Sequence, residues 1–287
     1  MDYRTCDLNG SAVIYAVAST EGIRAGLSES SLWLSLWGHI AEGREIAFVH
    51  SLVEFARSIK KTRVVMGADE FHVVSGVPMT SPSGLRLMNA LNSAGFKGME
   101  VADYVGDLSS AATNSYIESG KELIETRSLR FTTCDDDARL DALEVFISKE
   151  FPGRWTRELQ VWRKREDTDR AFWMSLEDTS GIIGFARMAI RGRVKAFDQG
   201  WTPGAMRLPL RSAVASSYDD SCLGPIGIAA SQRGQGTGKA LLGLVLRTLR
   251  ENHAARVCID WTNAFKYYEP LEYKRARRIW TSWKDEL

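Results

Sequence analysis

The segment with the clearest chemical potential is Gln232-Arg-Gly-Gln-Gly-Thr-Gly-Lys239. Three glycines in alternate positions let the backbone turn sharply and leave its N–H groups uncovered. The segment lies between an apolar run ending near Ala230 and a helical pattern led by Ala240-Leu241-Leu242. A helix beginning there adds its own free N–H groups and the positive end of its dipole. Together they form a pocket for a phosphate or pyrophosphate. Glycine suits such a loop because a Cβ would hold the phosphate oxygens off the amides. Spacing separates the ligand classes. A P-loop needs GxxxxGK followed by Ser or Thr, but its first glycine would fall at Arg233, and Ala240 lacks the magnesium-binding hydroxyl. A dinucleotide fingerprint needs GxGxxG, whereas Gly234-Gln-Gly236-Thr-Gly238 is GxGxG with Lys at position 239. A glycine-rich β–α turn without a ligand is the plain alternative.

Arg233-Gly-Gln-Gly236-Thr-Gly238 does fit (Gln/Arg)-x-x-Gly-x-(Gly/Ala). It resembles the acetyl-CoA pyrophosphate signature of the GNAT superfamily of N-acetyltransferases. Gly224-Pro-Ile-Gly-Ile-Ala-Ala230 precedes the loop, as the family's central splayed strand does. About thirty residues after the loop, Tyr267-Tyr268-Glu269-Pro-Leu271-Glu-Tyr273 is similar to the family's FYEKLGF segment, with Tyr268 in the tyrosine position. Pro270 and Glu272 depart from the usual Lys and Gly. The resemblance spans roughly Arg127–Leu287. It implies an α/β (α+β) fold with a GNAT-type mixed, mostly antiparallel sheet flanked by helices. It also implies acetyl-CoA as cosubstrate with no metal, and acetyl transfer to an amine of a small molecule or peptide by direct attack in a ternary complex. The alternatives are a non-catalytic acetyl-CoA-binding or regulatory module, and transfer to a hydroxyl.

The resemblance assigns roles residue by residue. The backbone of Arg233, Gly234, Gln235, Gly236, Thr237, Gly238 and Lys239 holds the pyrophosphate. Ile226, Ile228 and Ala230 run along the pantetheine arm, one of their N–H groups serving as an oxyanion donor. Gly224 and Gly227 permit close backbone approach or mark a bulge. Tyr268 is the general acid, since a phenol with pKa about 10 is protonated at neutral pH and suited to a departing thiolate. Asn263 contacts the pantetheine amides or caps a short helix. Arg233 and Lys239 meet phosphate or the adenosine side, or lie in solvent. The base stays open, because Leu223–Ala229 contains no carboxylate. Asp219, Asp220, Asp260 and Glu150 are the neighbouring carboxylates in the sequence, and a water relay would also serve. His253 is read as a surface residue past a helix end, and His72 as structural.

Periodicity supplies the elements that must position these groups. In the second half it predicts a helix opened by Thr133-Cys-Asp-Asp136 and running to about Glu150, and another over Arg154–Arg165. Ala171–Leu176 and Gly181–Ile190 read as a strand hairpin, and Arg191–Ser221 as a long irregular binding loop. A strand over Leu223–Ala229, a helix over Lys239–Glu251, a strand over Arg256–Trp261, a short helix over Ala264–Leu271 and a strand over Arg277–Trp283 follow.

In the first half, Ser11–Ala18 and Arg63–Met66 read as strands, Phe71–Val77 as extended, Phe96–Tyr104 as a strand, and Glu45–Ile59 and Ser83–Ser93 as helices. The polar stretch Ser109–Ser119 is the candidate linker. Val74-Ser-Gly-Val-Pro78 and Ala90-Leu-Asn-Ser-Ala-Gly-Phe96 are similar to segments of the first halves of tandem GNAT proteins. Of a glycine loop only Gly43 remains, and some forty residues before it are too few for a full set of early strands. The expected organisation is therefore a reduced, non-catalytic GNAT-like domain over 1–119 and a complete GNAT acetyltransferase domain over 127–287. An unrelated α+β cap domain is the alternative for the first.

Charge agrees with this division. Met1–Thr126 carries a balance of −5 and the remainder +6, so an anionic ligand belongs with the second half. Chance variation of surface charge would produce the same split. The longest apolar runs fall far short of the roughly 20 residues needed to cross a bilayer, and Met1–Asn9 has no signal-peptide character. Cys6, Cys134, Cys222 and Cys258 are widely spaced, as expected of reduced thiols in a cytoplasmic protein. No basic–aromatic platform points to nucleic acid. A homodimeric assembly is left open.

Overall fold

The computed structural model describes residues 2–8, 11–17, 31–37, 40–67, 76–163, 172–190 and 220–287. It is a mixed α/β fold whose strands are mostly antiparallel and are flanked by helices. Contacts divide the chain into two compact units. Among the described residues, one gathers those up to Ala102 with Arg277–Leu287, and the other those from Asp103 to Ala276.

The first unit opens with β1 (Asp2–Leu8), β2 (Ser11–Val17) and β3 (Ser31–Trp37), each antiparallel to the next. The segment ahead of Gly43 thus supplies three seven-residue strands. Helix α1 (Glu45–Ser58) then leads to β4 (Arg63–Met66), which lies parallel to β3. Phe48, Val49, Leu52, Val53 and Ala56 form the buried stripe of α1, at the three-and-four spacing a core-facing helix needs. Only the end of the Phe71–Val77 stretch falls among the described residues, in β5 (Val77–Pro78). Helix α2 (Pro82–Ser93) and β6 (Lys97–Asp107) follow.

The second unit corrects the linker reading. Ser109–Ser119 belongs largely to a 17-residue helix, α3 (Ala111–Arg127), begun by Ser110, whose hydroxyl accepts the Thr113 N–H. Then come β7 (Arg130–Thr133), α4 (Asp137–Glu150), α5 (Arg154–Arg163), β8 (Trp173–Asp178), β9 (Gly181–Ile190) and β10 (Asp220–Ile228). Helix α6 (Thr237–Glu251), β11 (Arg256–Thr262) and the single-turn α7 (Phe265–Tyr268) follow, and β12 (Lys274–Asp285), most of which is counted with the first unit, is the last strand. The N-cap of α4 is Asp136 rather than Thr133, since the Asp136 carboxylate accepts the Arg139 N–H. The expected binding loop lies outside the described residues, apart from Asp220 and Ser221 in β10.

Strands β7, β8, β9 and β10 are successive antiparallel neighbours, and β10 pairs in parallel with β11. Helix α3 packs antiparallel on α6 through two glycines. A Cβ on Gly243 would lie 1.9 Å from the Tyr116 carbonyl oxygen, and one on Gly120 would lie 2.8 Å from the Ala240 carbonyl oxygen. Small residues at this crossing let the two backbones touch. For the same reason α3 lacks the large apolar stripe that marks a helix in sequence.

Candidate functional site

The site is built around the parting of β10 from β11. Their ladder runs from Asp220–Arg256 to Leu223–Ile259 and stops there, while β10 continues to Ile228 and β11 to Thr262. Both strands carry the reason. In β10 the register on β9 shifts between Leu223 and Ile226, across Gly224 (φ +148°). This bulge bends the strand away from its neighbour. In β11 Trp261 has φ +44°, a conformation rare for a bulky side chain. Its N–H is held at 2.8 Å by the carboxylate of Asp103, a fully buried residue of β6.

Past the bulge, β10 still bonds to β9. The Ala229 N–H donates to the Ile183 carbonyl at 2.8 Å. Because strand amides alternate in direction, those of Ile226 and Ile228 face the side from which β11 has departed. The Ala230 N–H donates to the Glu150 carboxylate at 3.0 Å, so the C-terminus of α4 meets the end of β10. The face of β10 at Gly227 is covered by aromatic rings. A Cβ there would lie 2.6 Å from the Phe151 ring and 3.0 Å from Phe185. The lack of a Cβ at Gly227 therefore makes room for these rings.

A 3₁₀ turn (Ala230–Gln232) connects β10 to the glycine loop. Gly234 and Gly236 have φ of +74° and +77°, and a Cβ at either would meet nothing within 4 Å. The backbone conformation requires glycine, and the space outside the loop is open. The N-cap of α6 is Gly236, with no side-chain cap. By contrast Ser81, Ser110 and Asp136 each cap their helix through a side-chain oxygen. The first N–H groups of α6 have no acceptor within the helix, an arrangement with the chemistry to receive an anion. The loop is braced from within by the Gln235 side-chain amide, which donates to the Ser231 carbonyl at 2.8 Å. Arg233 is exposed, and Lys239 turns its ammonium over the Tyr116 ring, 4.9 Å from the centroid.

Sequence reasoning did not anticipate two neighbours of the loop. Arg127, at the end of α3, donates to Gln232 Oε1 at 2.8 Å and Thr237 Oγ1 at 3.0 Å. The Tyr267 hydroxyl donates to the Gly238 carbonyl at 2.5 Å. Burial pushes the Tyr267 phenol well above its ordinary pKa, keeping it a donor. Only the adjacent tyrosine carries the sequence signal. That residue, Tyr268, is 4% exposed and packs against Tyr104 and Tyr267, with ring centroids 6.0 and 4.8 Å away. Asn263 does not act as the helix cap. The N-cap of α7 is Ala264, whose N–H donates to the Thr262 hydroxyl at 3.0 Å.

Of the carboxylates considered as a base, the structure brings Glu150 to the end of β10. Asp219 and the side chains of Asp220 and Asp260 lie outside the described positions, as does His72. His253 is exposed just beyond the far end of α6, about 22 Å from the loop at 1.5 Å per helical residue. Among the described residues no group of three His, Cys, Asp or Glu side chains is placed to hold a metal ion, and no helix is long and apolar enough to cross a membrane.

The first unit repeats the β–α–β arrangement in β3, α1 and β4 but not the open helix end. The buried Glu45 carboxylate sits in the first turn of α1, where the Arg86 guanidinium bonds it at 2.7 Å and the amides of Glu45 and Gly43 also bond it.

Comparison with known proteins bears on this geometry. Residues 137–272 match the model of the Acetyltransferase (GNAT) family. No curated protein matches the chain by sequence. Among solved structures, the chain is similar to a GCN5-related glucosamine N-acetyltransferase region of a fungal multi-domain GH3 beta-N-acetylglucosaminidase, at 15% identity and a TM-score of 0.74. That match covers 96% of this chain but only 31% of the fungal one. A GCN5-related N-acetyltransferase from Sphaerobacter thermophilus matches at 13% identity and a TM-score of 0.54, over 96% of this chain and 80% of that one. A functionally unknown conserved protein from Staphylococcus epidermidis matches at 9% identity and 0.54, over 100% and 94%. At such identities the likeness is one of fold.

Proposed function

We propose that the chain is a GNAT acetyltransferase that transfers the acetyl group of acetyl-CoA to an amine of a small molecule or peptide, by direct attack within a ternary complex, a reading supported by the match of residues 137–272 to the Acetyltransferase (GNAT) family model. The observation that carries this reading is the parting of β10 from β11 beside the uncapped N-terminus of α6. Acetyl-CoA supplies an activated thioester, and its pyrophosphate matches a loop that offers amides and open space.

Each residue then has a task. The amides from Arg233 to Lys239 hold the phosphates. Ile226 and Ile228 present N–H groups along the pantetheine arm, one of them polarising the thioester carbonyl. Tyr268 protonates the departing thiolate. Glu150 is our candidate for the base that takes the amine proton, directly or through water, since it stands at the end of β10. Asn263 follows β11 and contacts the arm.

We read the first unit as a reduced, non-catalytic copy. Its β3–α1–β4 core supports this, and Glu45 supplies the anion that a cofactor phosphate would otherwise bring to α1. The buried cysteines Cys134, Cys222 and Cys258 support a cytoplasmic setting.

The test has two stages. Acetyl-CoA at roughly 1 mM should raise the melting temperature through preferential binding to the folded state, and no shift would remove the cofactor reading. A panel of amines, glucosamine among them, should then release CoA thiol. The lack of a strand carboxylate in Leu223–Ala229 favours a second reading, an acetyl-CoA-binding regulatory module. Tight binding with no thiol release across the panel would select it.

A further inference from the structure

We infer that Arg127 is a positioning residue for the phosphate loop and adds a fixed positive charge to its anion site; this rests on the acetyl-CoA reading above.

The placement follows from the helix crossing. Tyr116 meets Gly243 and Gly120 meets Ala240, so α3 descends α6 towards its N-terminus. Two turns beyond Gly120, the last residue of α3 arrives at the first residue of α6. There the planar guanidinium donates through separate nitrogens, Nη2 to Gln232 before the glycines and Nη1 to Thr237 after them. One rigid fork thereby ties the two ends of the loop, a task that the single ammonium of lysine performs poorly.

A cation at a helix C-terminus is favourable in itself, but that would be satisfied by the helix's own carbonyls. Arg127 instead reaches across to the loop. Both bonded partners are neutral, so its charge is not cancelled by a bonded carboxylate among the described residues. Asp178 feels the charge without bonding it, and its own carboxyl is lowered, chiefly by the Ser180 hydroxyl. Thr237 is fully buried and its hydroxyl accepts from Arg127, so displacement of the guanidinium would disturb the first turn of α6 directly.

The experiment is calorimetric titration of the full chain with acetyl-CoA over a range of salt concentrations, for wild type, Arg127→Ala, Arg127→Lys and Gln232→Ala. Arg127→Ala should raise Kd roughly tenfold at low salt and flatten the dependence of log Kd on log salt, because one screened charge is gone. Arg127→Lys should restore the slope but only part of the affinity. Gln232→Ala should weaken binding modestly with the slope intact. A Kd for Arg127→Ala within about twofold of wild type, with the same slope, overturns the inference. So does a weakened Arg127→Ala whose slope is unchanged and which Arg127→Lys does not rescue, since that pattern is structural loosening alone. If Arg127→Ala does not fold, the slope and affinity of Arg127→Lys decide by the same criteria. Wild-type protein that binds no acetyl-CoA overturns the cofactor reading first, and this inference with it.

Discussion

The Tyr267 hydroxyl and the Gly238 carbonyl, 2.5 Å apart, fasten the turn after β11 to the first turn of the helix after the glycine loop. The two adjacent tyrosines therefore have separable duties. Tyr267 is a structural donor, and Tyr268 is the proposed acid.

Exchanging each for phenylalanine should separate them. Tyr267→Phe removes the hydrogen bond that ties α7 to the part-buried Gly238 carbonyl, which keeps only its place in the α6 ladder, and should cost about 1 kcal/mol of stability, read from denaturant midpoints. Tyr268→Phe should leave acetyl-CoA affinity nearly unchanged while lowering the rate of thiol release. Unchanged turnover in Tyr268→Phe would remove its acid role.

The crossing of α3 and α6 makes a second expectation. Gly243→Ala would place a methyl group 1.9 Å from the Tyr116 carbonyl oxygen. Main-chain atoms cannot rotate aside as a flexible side chain does, so the cost should reach or exceed the roughly 3 kcal/mol upper range of core overpacking. The same displacement should carry Arg127 off the loop, so acetyl-CoA should bind more weakly as well. A variant with wild-type stability would show that the helices do not touch there.

Which parts were legible in the sequence follows from what each residue does. The loop was readable because its glycines are required by their own backbone conformation, a local property. Helix α6 was readable from its buried leucines. Helix α3 was not, since its packing depends on Gly120 meeting a main chain more than a hundred residues away, and a glycine contact leaves no apolar stripe. Arg127 was invisible for the same reason, as its two acceptors lie beyond that crossing. The early strands of the first unit were partly hidden because Asp2–Leu8 alternates too many polar residues to stand out, though β2 pairs with it along its whole length.

The first unit gives a pH expectation. The Arg86 guanidinium, helped by the amides of Glu45 and Gly43, holds the Glu45 carboxyl below its usual 4.5, against burial, which pushes it up. A depressed folded-state value contributes stability above the unfolded value, and this is lost as pH falls through the folded one. Wild type should therefore be more stable than Glu45→Gln at pH 7, with the gap narrowing below about pH 4.5. Thermal unfolding of both from pH 7 to 3 checks this, and a gap constant across that range would contradict it.

Asp103 offers the most direct test of what keeps β11 away from β10. Trp261 adopts a left-handed conformation that costs on the order of 1–2 kcal/mol for a residue with a Cβ, and its N–H is satisfied by the buried Asp103 carboxylate rather than by β10. Asp103→Ala should remove that acceptor and destabilise the protein by about 2 kcal/mol. Asp103→Asn keeps an oxygen in place and should lose less. If the bond holds the parted geometry, Asp103→Ala should also raise Kd for acetyl-CoA beyond any change seen in Asp103→Asn, because β11 is then free to close towards β10 over Ile226 and Ile228. Calorimetry on the two variants at a temperature where both remain folded separates the effects. Equal affinity in both, alongside the expected loss of stability, would show that the splay is maintained by the β10 bulge alone.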